Sequence, residues 1–332
     1  MSVSLQDVFA AERAIRPYIR HTPLMPSSSL SALCGGEIRL KLDFLQDTGA
    51  FKLRGATNRL LALSGDERAR GVIAVSTGNH GRAVASAAAR LGIRAVIVMS
   101  ALVPKVKVDG VRQFGAEVRI AGKSQDEADA EAAGLIASEG LVPVPPFDDP
   151  HVIAGQGTLG LELLQDWPDV ETVLIPLSGG GLLAGVARVL KSANPHIRIV
   201  GVSLASGGAM ADSLEAGHPV EVAEPETLAD SLGGGIGIEN RHSFEMVRTL
   251  TDDVVRIDED EIAQAMAHLF WNDRLVVEGA GAVAAAALIA GKLPFSIPPG
   301  HRIAGLSCGN RVDMRRFAEI VAAHPKHSAS QS

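Results

Sequence analysis

TVLIPLSGGGLLAGVARVL, residues 172–190, places an apolar run, a triple-glycine turn and an apolar helical stretch end to end. The run Thr172–Leu177 has the length and the Val/Ile content of a buried strand, and three glycines let the chain turn sharply into the helix that follows. The same order recurs along the chain. Strands are expected at Gly71–Val75, Arg94–Met99, Glu117–Ile120, Ile197–Ser203 and Arg302–Leu306, with helical periodicity between them. Such alternation is the pattern of βαβ units and parallel sheets, so the expected class is α/β. Ahead of it, a first helix is expected over Leu5–Ile19, ending before Thr22-Pro23, and an extended segment over Glu37–Phe44. The Pro-rich stretch Pro143–Pro150 reads as a linker. A smaller α/β unit is therefore expected at 71–147, inserted into a larger one formed by 1–70 and 148–332. No repeat of fixed period occurs, and the final HSASQS is expected to fray.

Composition limits the function. The chain has 332 residues, enough for about two domains, with 46% apolar and 21% charged residues, which excludes disorder and collagen. Net charge is -7 and no Lys/Arg block is present, so neither nucleic acid nor an acidic membrane surface is an expected partner. A small molecule is. Cys34 and Cys308 alone can build neither a disulfide framework nor a thiolate zinc site, which suits a reducing compartment. The N-terminus lacks the basic-then-apolar order of a signal peptide, and the most apolar stretch, Gly279–Gly291, is too short to cross a bilayer. A cytoplasmic protein is expected.

Four segments could carry chemistry. In Ser178–Gly185 the glycine backbone can aim N–H groups at a phosphate resting on the helix N-terminus. A dinucleotide site would need an acidic residue closing the next strand, which instead runs into Leu204, and no GxxxxGK[ST] is present. A purely structural turn remains the alternative. In Ala50–Gly55, Lys52 follows the turn Thr48-Gly49 at the expected start of a helix. Burial and the helix N-terminus both disfavour an ammonium there, and a neutral amine can attack a carbonyl. An ordinary solvated lysine is the competing reading. Ser76-Thr77-Gly78-Asn79-His80-Gly81 gathers hydroxyls, an amide and free N–H groups where a strand gives way to a helix, a setting for a carboxylate; simple capping by Ser76 or Thr77 competes. The fourth comprises Glu278–Ala282, where Glu278 opens an Ala-rich helix whose dipole favours a carboxylate, and Leu306–Asn310, where Ser307 sits at the C-terminal edge of a strand.

Taken in chain order, from Thr22-Pro23-Leu24 to Asn310, these segments resemble the fold-type II pyridoxal phosphate enzymes, in the threonine/serine dehydratase and serine racemase branch. The resemblance implies a tryptophan synthase β-like fold of two doubly wound α/β domains with the cofactor between them. It implies that Lys52 carries pyridoxal phosphate as a Schiff base, that Phe51 packs near the ring and that Asn79 binds the phenolic oxygen. Gly179, Gly180, Gly181 and Leu182 would hold the phosphate, and Ser307 would face the pyridine nitrogen. Ser76, Thr77, Asn79 and His80 would hold the substrate carboxylate. Glu278 would approach from the opposite side, with Lys52, Thr77 and Glu278 as the catalytic set. His80 after Asn79 favours dehydratases over cysteine and threonine synthases. Within the branch the chain resembles the hydroxyectoine-utilisation dehydratases, through RLGIRAVIVMSALVPKVKVDGVR (90–112), PPFDDPHVIAGQGTLGLELL (145–164), the GVS before Leu204, and TLADSLGGGIG (227–237).

Departures narrow the chemistry that the resemblance implies. Ala50 stands where the family usually has serine, and Arg82 where it has glutamine. Thr77 replaces the second serine, which in racemases returns a proton; threonine is bulkier and stiffer at χ1, which argues against racemisation. Leu204 and Met210 replace the acidic pair of metal-dependent members, so no metal is expected there. No regulatory domain follows Asn310, which points to a catabolic role. The implied reaction has a β-hydroxy amino acid displace Lys52, whose freed amine takes the Cα proton. The leaving hydroxyl takes its proton from the phosphate held by Gly179 to Leu182, and a 2-oxo acid and ammonia are released. Ser307, unable to keep the ring nitrogen protonated, makes a weaker electron sink. A racemase and a non-catalytic amino-acid sensor are the alternatives. Arg82 and Ser231–His242 are candidates for setting the substrate, and a homodimer is the implied assembly.

Overall fold

The computed structural model describes residues 3–325 other than Thr77, Pro104 and Ser124. Its strands are β1 (Leu24–Pro26), β2 (Glu37–Leu42), β3 (Val72–Val75), β4 (Ala95–Met99), β5 (Glu117–Ile120), β6 (Val142–Pro143), β7 (Thr172–Pro176), β8 (Arg198–Leu204), β9 (Asp253–Ile257) and β10 (Arg302–Ser307). The helices of the first half are α1 (Leu5–Ile15), α2 (Ser28–Cys34), α3 (Lys52–Leu61), α4 (Gly65–Arg70), α5 (Asn79–Leu91), α6 (Lys105–Arg112) and α7 (Gln125–Glu139). Those of the second are α8 (Pro150–Asp166), α9 (Gly181–Ala193), α10 (Ala209–Ala216), α11 (Ser243–Leu250), α12 (Glu259–His268), α13 (Gly279–Ile289) and α14 (Met314–Ala323).

Two sheets result. The larger has strand order β1-β2-β10-β7-β8-β9 and is parallel except for β1; the smaller, β5-β4-β3-β6, is parallel throughout. Parallel strands need helical crossovers, which cover both faces and make the strands apolar on both sides. Along β7 this is visible residue by residue. Val173 and Ile175 point into a core shared with α1, α8 and α9, while Leu174 points into one shared with α12, α13 and α14. In the small sheet, Ala74 and Ile97 face α3 and α5, and Ile73, Val96 and Val98 face α7. Each fully buried Val, Leu or Ile contributes about 1.5 to 3 kcal/mol.

Helix α3 joins the two layers. Leu53, Ala56 and Leu60 belong to the small-sheet core. On its other side Gly55 abuts α8, where an added Cβ would lie 2.8 Å from the Val152 carbonyl oxygen. Its second anchor is ionic. Arg54, 1% exposed, donates to both oxygens of Asp43 (2.9 and 2.7 Å) and to Glu162 (2.6 Å), and the fully buried Lys41 pairs with Glu162 and Asp166. Buried charges persist only when paired and hydrogen-bonded, and these tie α3 rigidly to β2 and α8.

Several expectations change. The first helix stops at Ile15 rather than Ile19, because Pro17 has no N–H to continue the ladder. The extended segment over Glu37–Phe44 ends at Leu42, and Asp43–Leu45 turns, carrying the Asp43 carboxylate into the Arg54 cluster. Strands β1, β6 and β9 were not anticipated. The first two span three and two residues and contain prolines, and β9 is an edge strand that mixes Asp253 and Arg256 with its apolar positions. HSASQS lies outside the described residues.

Candidate active site

The loops after β3, β7 and β10 all leave the C-terminal ends of parallel strands, the edge where α/β sheets gather ligands. Lys52 reaches the same place by backbone pairing. The Phe51 N–H donates to the Cys308 carbonyl, the Asn310 N–H donates to the Gly49 carbonyl (both 3.1 Å), and Ala50 bridges Gly309 antiparallel. Gly49 permits this approach: its φ is +81°, and a Cβ there would sit 2.2 Å from the Arg311 Nε.

Helix ends supply the electrostatics. Helices α1, α2, α4, α8, α12 and α14 are capped by the side chains of Ser4, Ser27, Ser64, Asp149, Asp258 and Asp313. Among the described residues, helices α3, α5, α9 and α13 have no such cap, and all four begin at one narrow cavity. Uncapped first-turn N–H groups leave partial positive charge directed at whatever sits there.

The cavity brings together Phe51, Lys52, Asn79, Gly179, Gly180, Gly181, Leu182 and Glu278 from the expected set. Phe147 and Glu278 also line a broad cleft of about 1880 Å³. Lys52, partly buried, donates from Nζ to the Pro146 carbonyl at 2.6 Å and lies 5.2 Å from the Phe51 ring centroid. Burial brings its ammonium down to about 8. The Asn79 amide donates to Glu278 Oε1 (2.8 Å) and to Ser231 Oγ (3.3 Å), bridging α5 to the start of α13. Glu278 also accepts from the Arg311 N–H at 3.0 Å. Burial, and then the charge of Asp230, hold its carboxyl up at about 7, against the pull of the Ser231, Arg311 and Asn79 donors. The ionised carboxylate that the helix dipole would favour is therefore reached only as the pH rises through about 7; only 5% of Glu278 is exposed.

Other expected residues sit differently. His80 does not line the cavity. Its Nε2 bonds the Val144 carbonyl at 2.8 Å, and burial, with the nearby charge of Lys52, lowers it to about 3, so the ring is neutral. Ser76 Oγ accepts from the Gly78 N–H (3.3 Å) within its own turn. Ser307, 1% exposed, donates to the Gly281 carbonyl at 2.8 Å, one residue before the cavity wall formed by Cys308 and Gly309. Thr77 lies outside the described residues. Arg82 lies over the Phe114 ring (5.6 Å) and lines neither the cavity nor the cleft. Leu204 and Met210 are buried core, and among the described residues no cluster of three or more His, Cys, Asp or Glu is set to hold a metal ion. No described helix is long and apolar enough to cross a membrane. Sequence reading missed the Pro146 carbonyl, Phe147 and Ser231 as site components. Of these only Ser231 lay in a segment expected to help set the substrate; Pro146 and Phe147 fell in the stretch read as a linker.

The model of the family described as "Pyridoxal-phosphate dependent enzyme" matches residues 15–309. The chain belongs to that family. A Sinorhizobium fredii protein named as a threonine dehydratase is 51% identical to the enzyme over 320 residues, 96% of each chain. L-threonine ammonia-lyase of Thermotoga maritima is 42% identical over 321 residues, 96% of this chain and 78% of that one. The structure of maize serine racemase superposes with a TM-score of 0.91 at 32% identity, covering 98% of both chains. The fold is the tryptophan synthase β-like fold type II.

The residues present fit the cofactor. A Cβ on Gly179 would fall 2.2 Å from the Phe147 ring, on Gly180 2.7 Å from Met210 Cε, and on Gly181 2.9 Å from Phe147 Cα. Only glycine leaves this cradle open for a phosphate at the head of α9, with the Lys52 amine on the same cavity.

Proposed function

We propose that the enzyme is a dehydratase that eliminates water from a small β-hydroxy amino acid and releases a 2-oxo acid and ammonia, with threonine or serine as the substrate type. The observation that carries this is Lys52: an amine lowered to about 8, at the head of an uncapped helix and on one cavity with a glycine cradle. The relatives named for threonine dehydration and ammonia release support the same reaction class.

Bound by the Lys52 amine and the Gly179–Leu182 cradle, pyridoxal phosphate supplies the electron sink that acidifies the substrate Cα–H. Once the substrate amine takes its place, the freed Lys52 Nζ would take the α-proton, and the Pro146 carbonyl, 2.6 Å away, would receive the resulting ammonium. Glu278, held at about 7, keeps a proton near neutral pH within the same cavity. In the substrate-binding role given to Ser76, Thr77, Asn79 and His80, the uncapped start of α5 supplies N–H groups for a carboxylate, and the His80 ring braces Val144 instead. A cytoplasmic homodimer is the setting we infer, and the resemblance of four segments to the hydroxyectoine-utilisation dehydratases favours a place in hydroxyectoine breakdown.

The test is release of 2-oxo acid and ammonia from L-threonine, L-serine, hydroxyaspartate, phenylserine and acylated hydroxy-diaminobutyrate. Equal yields of both products from at least one are expected. Inversion at Cα without ammonia would replace this reading with a racemase, and binding without turnover would replace it with a sensor.

A further inference from the structure

Between β6 and α8 the chain crosses the site in a short connection in which three consecutive residues, Pro146, Phe147 and Asp148, face three different partners. The Pro146 carbonyl accepts from Lys52 Nζ at 2.6 Å. Phe147 lies on the glycine cradle, so close that a Cβ on Gly179 would meet its ring at 2.2 Å and one on Gly181 its Cα at 2.9 Å. Asp148 turns away from both. Its Oδ1 accepts from the N–H groups of His242 and Ser243 (each 2.8 Å) and its Oδ2 from the Arg241 N–H (2.7 Å).

Arg241 and His242 lead into α11 and Ser243 is its first residue; His242, at the N-cap position, makes no side-chain cap, and Asn240 Oδ1 accepts from the Phe244 N–H one residue further in (2.9 Å). Asp148 caps α11 from far along the chain, and a charged acceptor serving three N–H groups at a helix N-terminus is a strong form of that interaction. Helix α11 in turn backs the cradle from the other side. Val247 Cγ2 and Ser243 Cβ lie 2.8 and 3.4 Å from the position of a Cβ on Gly180. One carboxylate therefore couples the wall behind the cradle to the turn in front of it.

We propose that Asp148 is a positioning residue for cofactor anchorage: by capping α11 it fixes the turn that receives Lys52 and encloses the glycine cradle. The proposal rests on the reading of Lys52 as the cofactor lysine. Without the three hydrogen bonds, the turn can leave the cradle, and Lys52 loses the one hydrogen-bond acceptor it has among the described residues. An asparagine keeps one acceptor oxygen but sets an N–H₂ against the Arg241 N–H. Alanine removes every bond.

The experiment titrates pyridoxal phosphate into apoenzyme and reads its dissociation constant from the yellow absorbance, alongside apoenzyme melting. Asp148→Asn should raise the constant about tenfold and Asp148→Ala about a hundredfold, the size of one or more charge-assisted hydrogen bonds. Asp258→Ala, which removes the cap of α12, should lower melting comparably and leave the constant unchanged. With α-deuterated L-threonine, the isotope effect on ammonia release should increase in Asp148→Asn, because proton transfer to Lys52 becomes more limiting. A constant within about twofold of wild type in both Asp148 variants would overturn the proposal. So would equal losses in the Asp148 and Asp258 variants, which would make Asp148 merely structural. Lys52→Ala in the same titration separates the failures: binding unchanged there sinks the lysine reading, whereas binding lost there but kept in the Asp148 variants sinks only this proposal.

Discussion

The loop after β7 and the loop after β3 both end a parallel strand, open a helix without a side-chain cap and lead to the same cavity, yet they are held by opposite means. Around Gly179–Gly181 the direct contacts are backbone and close packing, with Phe147 in front and Met210, Val247 and Ser243 Cβ behind, and the polar hold of Asp148 lies outside the cradle. Around Ser76–His80 the holding is by polar side chains, with Asn79 on Glu278 and Ser231, His80 on Val144, and Ser76 on its own turn. The first arrangement presents fixed N–H groups to a fixed anion. The second crosses from the small sheet to α13 through hydrogen bonds that a substrate can exchange. In the proposed roles, a permanent cofactor and a transient substrate call for this difference, since close packing resists adjustment and hydrogen bonds can be exchanged one for another.

The backbone-built loop should be the less forgiving. Gly180→Ala forces an L-residue at φ +85° and drives its Cβ to 2.7 Å from Met210 Cε. Denaturant unfolding should show a loss of about 2 to 4 kcal/mol, with cofactor affinity reduced about tenfold or more. A well-folded variant with normal affinity would remove the packing half of the comparison.

On the polar side the largest effect should come from Glu278. Its carboxyl is raised above its unfolded value near 4.5 to about 7, so its contribution to stability is complete below about 4.5 and is lost as pH rises through 7. At about 1.4 kcal/mol for each pH unit of displacement, Glu278→Gln should be more stable than wild type by about 3 kcal/mol at pH 8 and equal to it near pH 4. Urea unfolding at the two pH values measures this. The pH profile of kcat should lose its ionisation near 7, with kcat about tenfold or more lower. Unfolding curves with the same pH dependence in both proteins would show that Glu278 ionises freely.

The smallest effect belongs to Ser231. Ser231→Ala removes the longer of the two Asn79 contacts and one of the donors to Glu278, and should cost about 0.5 to 1 kcal/mol, read as a rise of about threefold in KM with kcat little changed. A collapse in kcat instead would mean that Asn79 is held as rigidly as the glycine loop.

The two loops also differ in how readable they were. Strands β3, β4, β5, β7, β8 and β10 announce themselves as Val/Ile-rich runs because helices cover both faces of most of them. The triple glycine after β7 carries its meaning in residue type alone, since a backbone cradle needs no particular side-chain direction. The loop after β3 needs directions as well as identities. Nothing in Asn79-His80 tells that one side chain turns into the cavity and the next into the Val144 carbonyl. Pro143–Pro150 read as a connection because prolines punctuate; that its Pro146 carbonyl meets Lys52 depends on tertiary placement. Glu278 read as a dipole-stabilised carboxylate because the burial that raises its carboxyl is invisible until the fold closes around it.

The most direct measurement concerns Lys52 itself. Borohydride treatment of enzyme loaded with pyridoxal phosphate, followed by mass mapping of its peptides, should place the phosphopyridoxyl label on Lys52 and nowhere else. Lys52→Ala should be colourless and unlabelled. A label on another lysine, or a reducible yellow chromophore persisting in Lys52→Ala, would contradict the account.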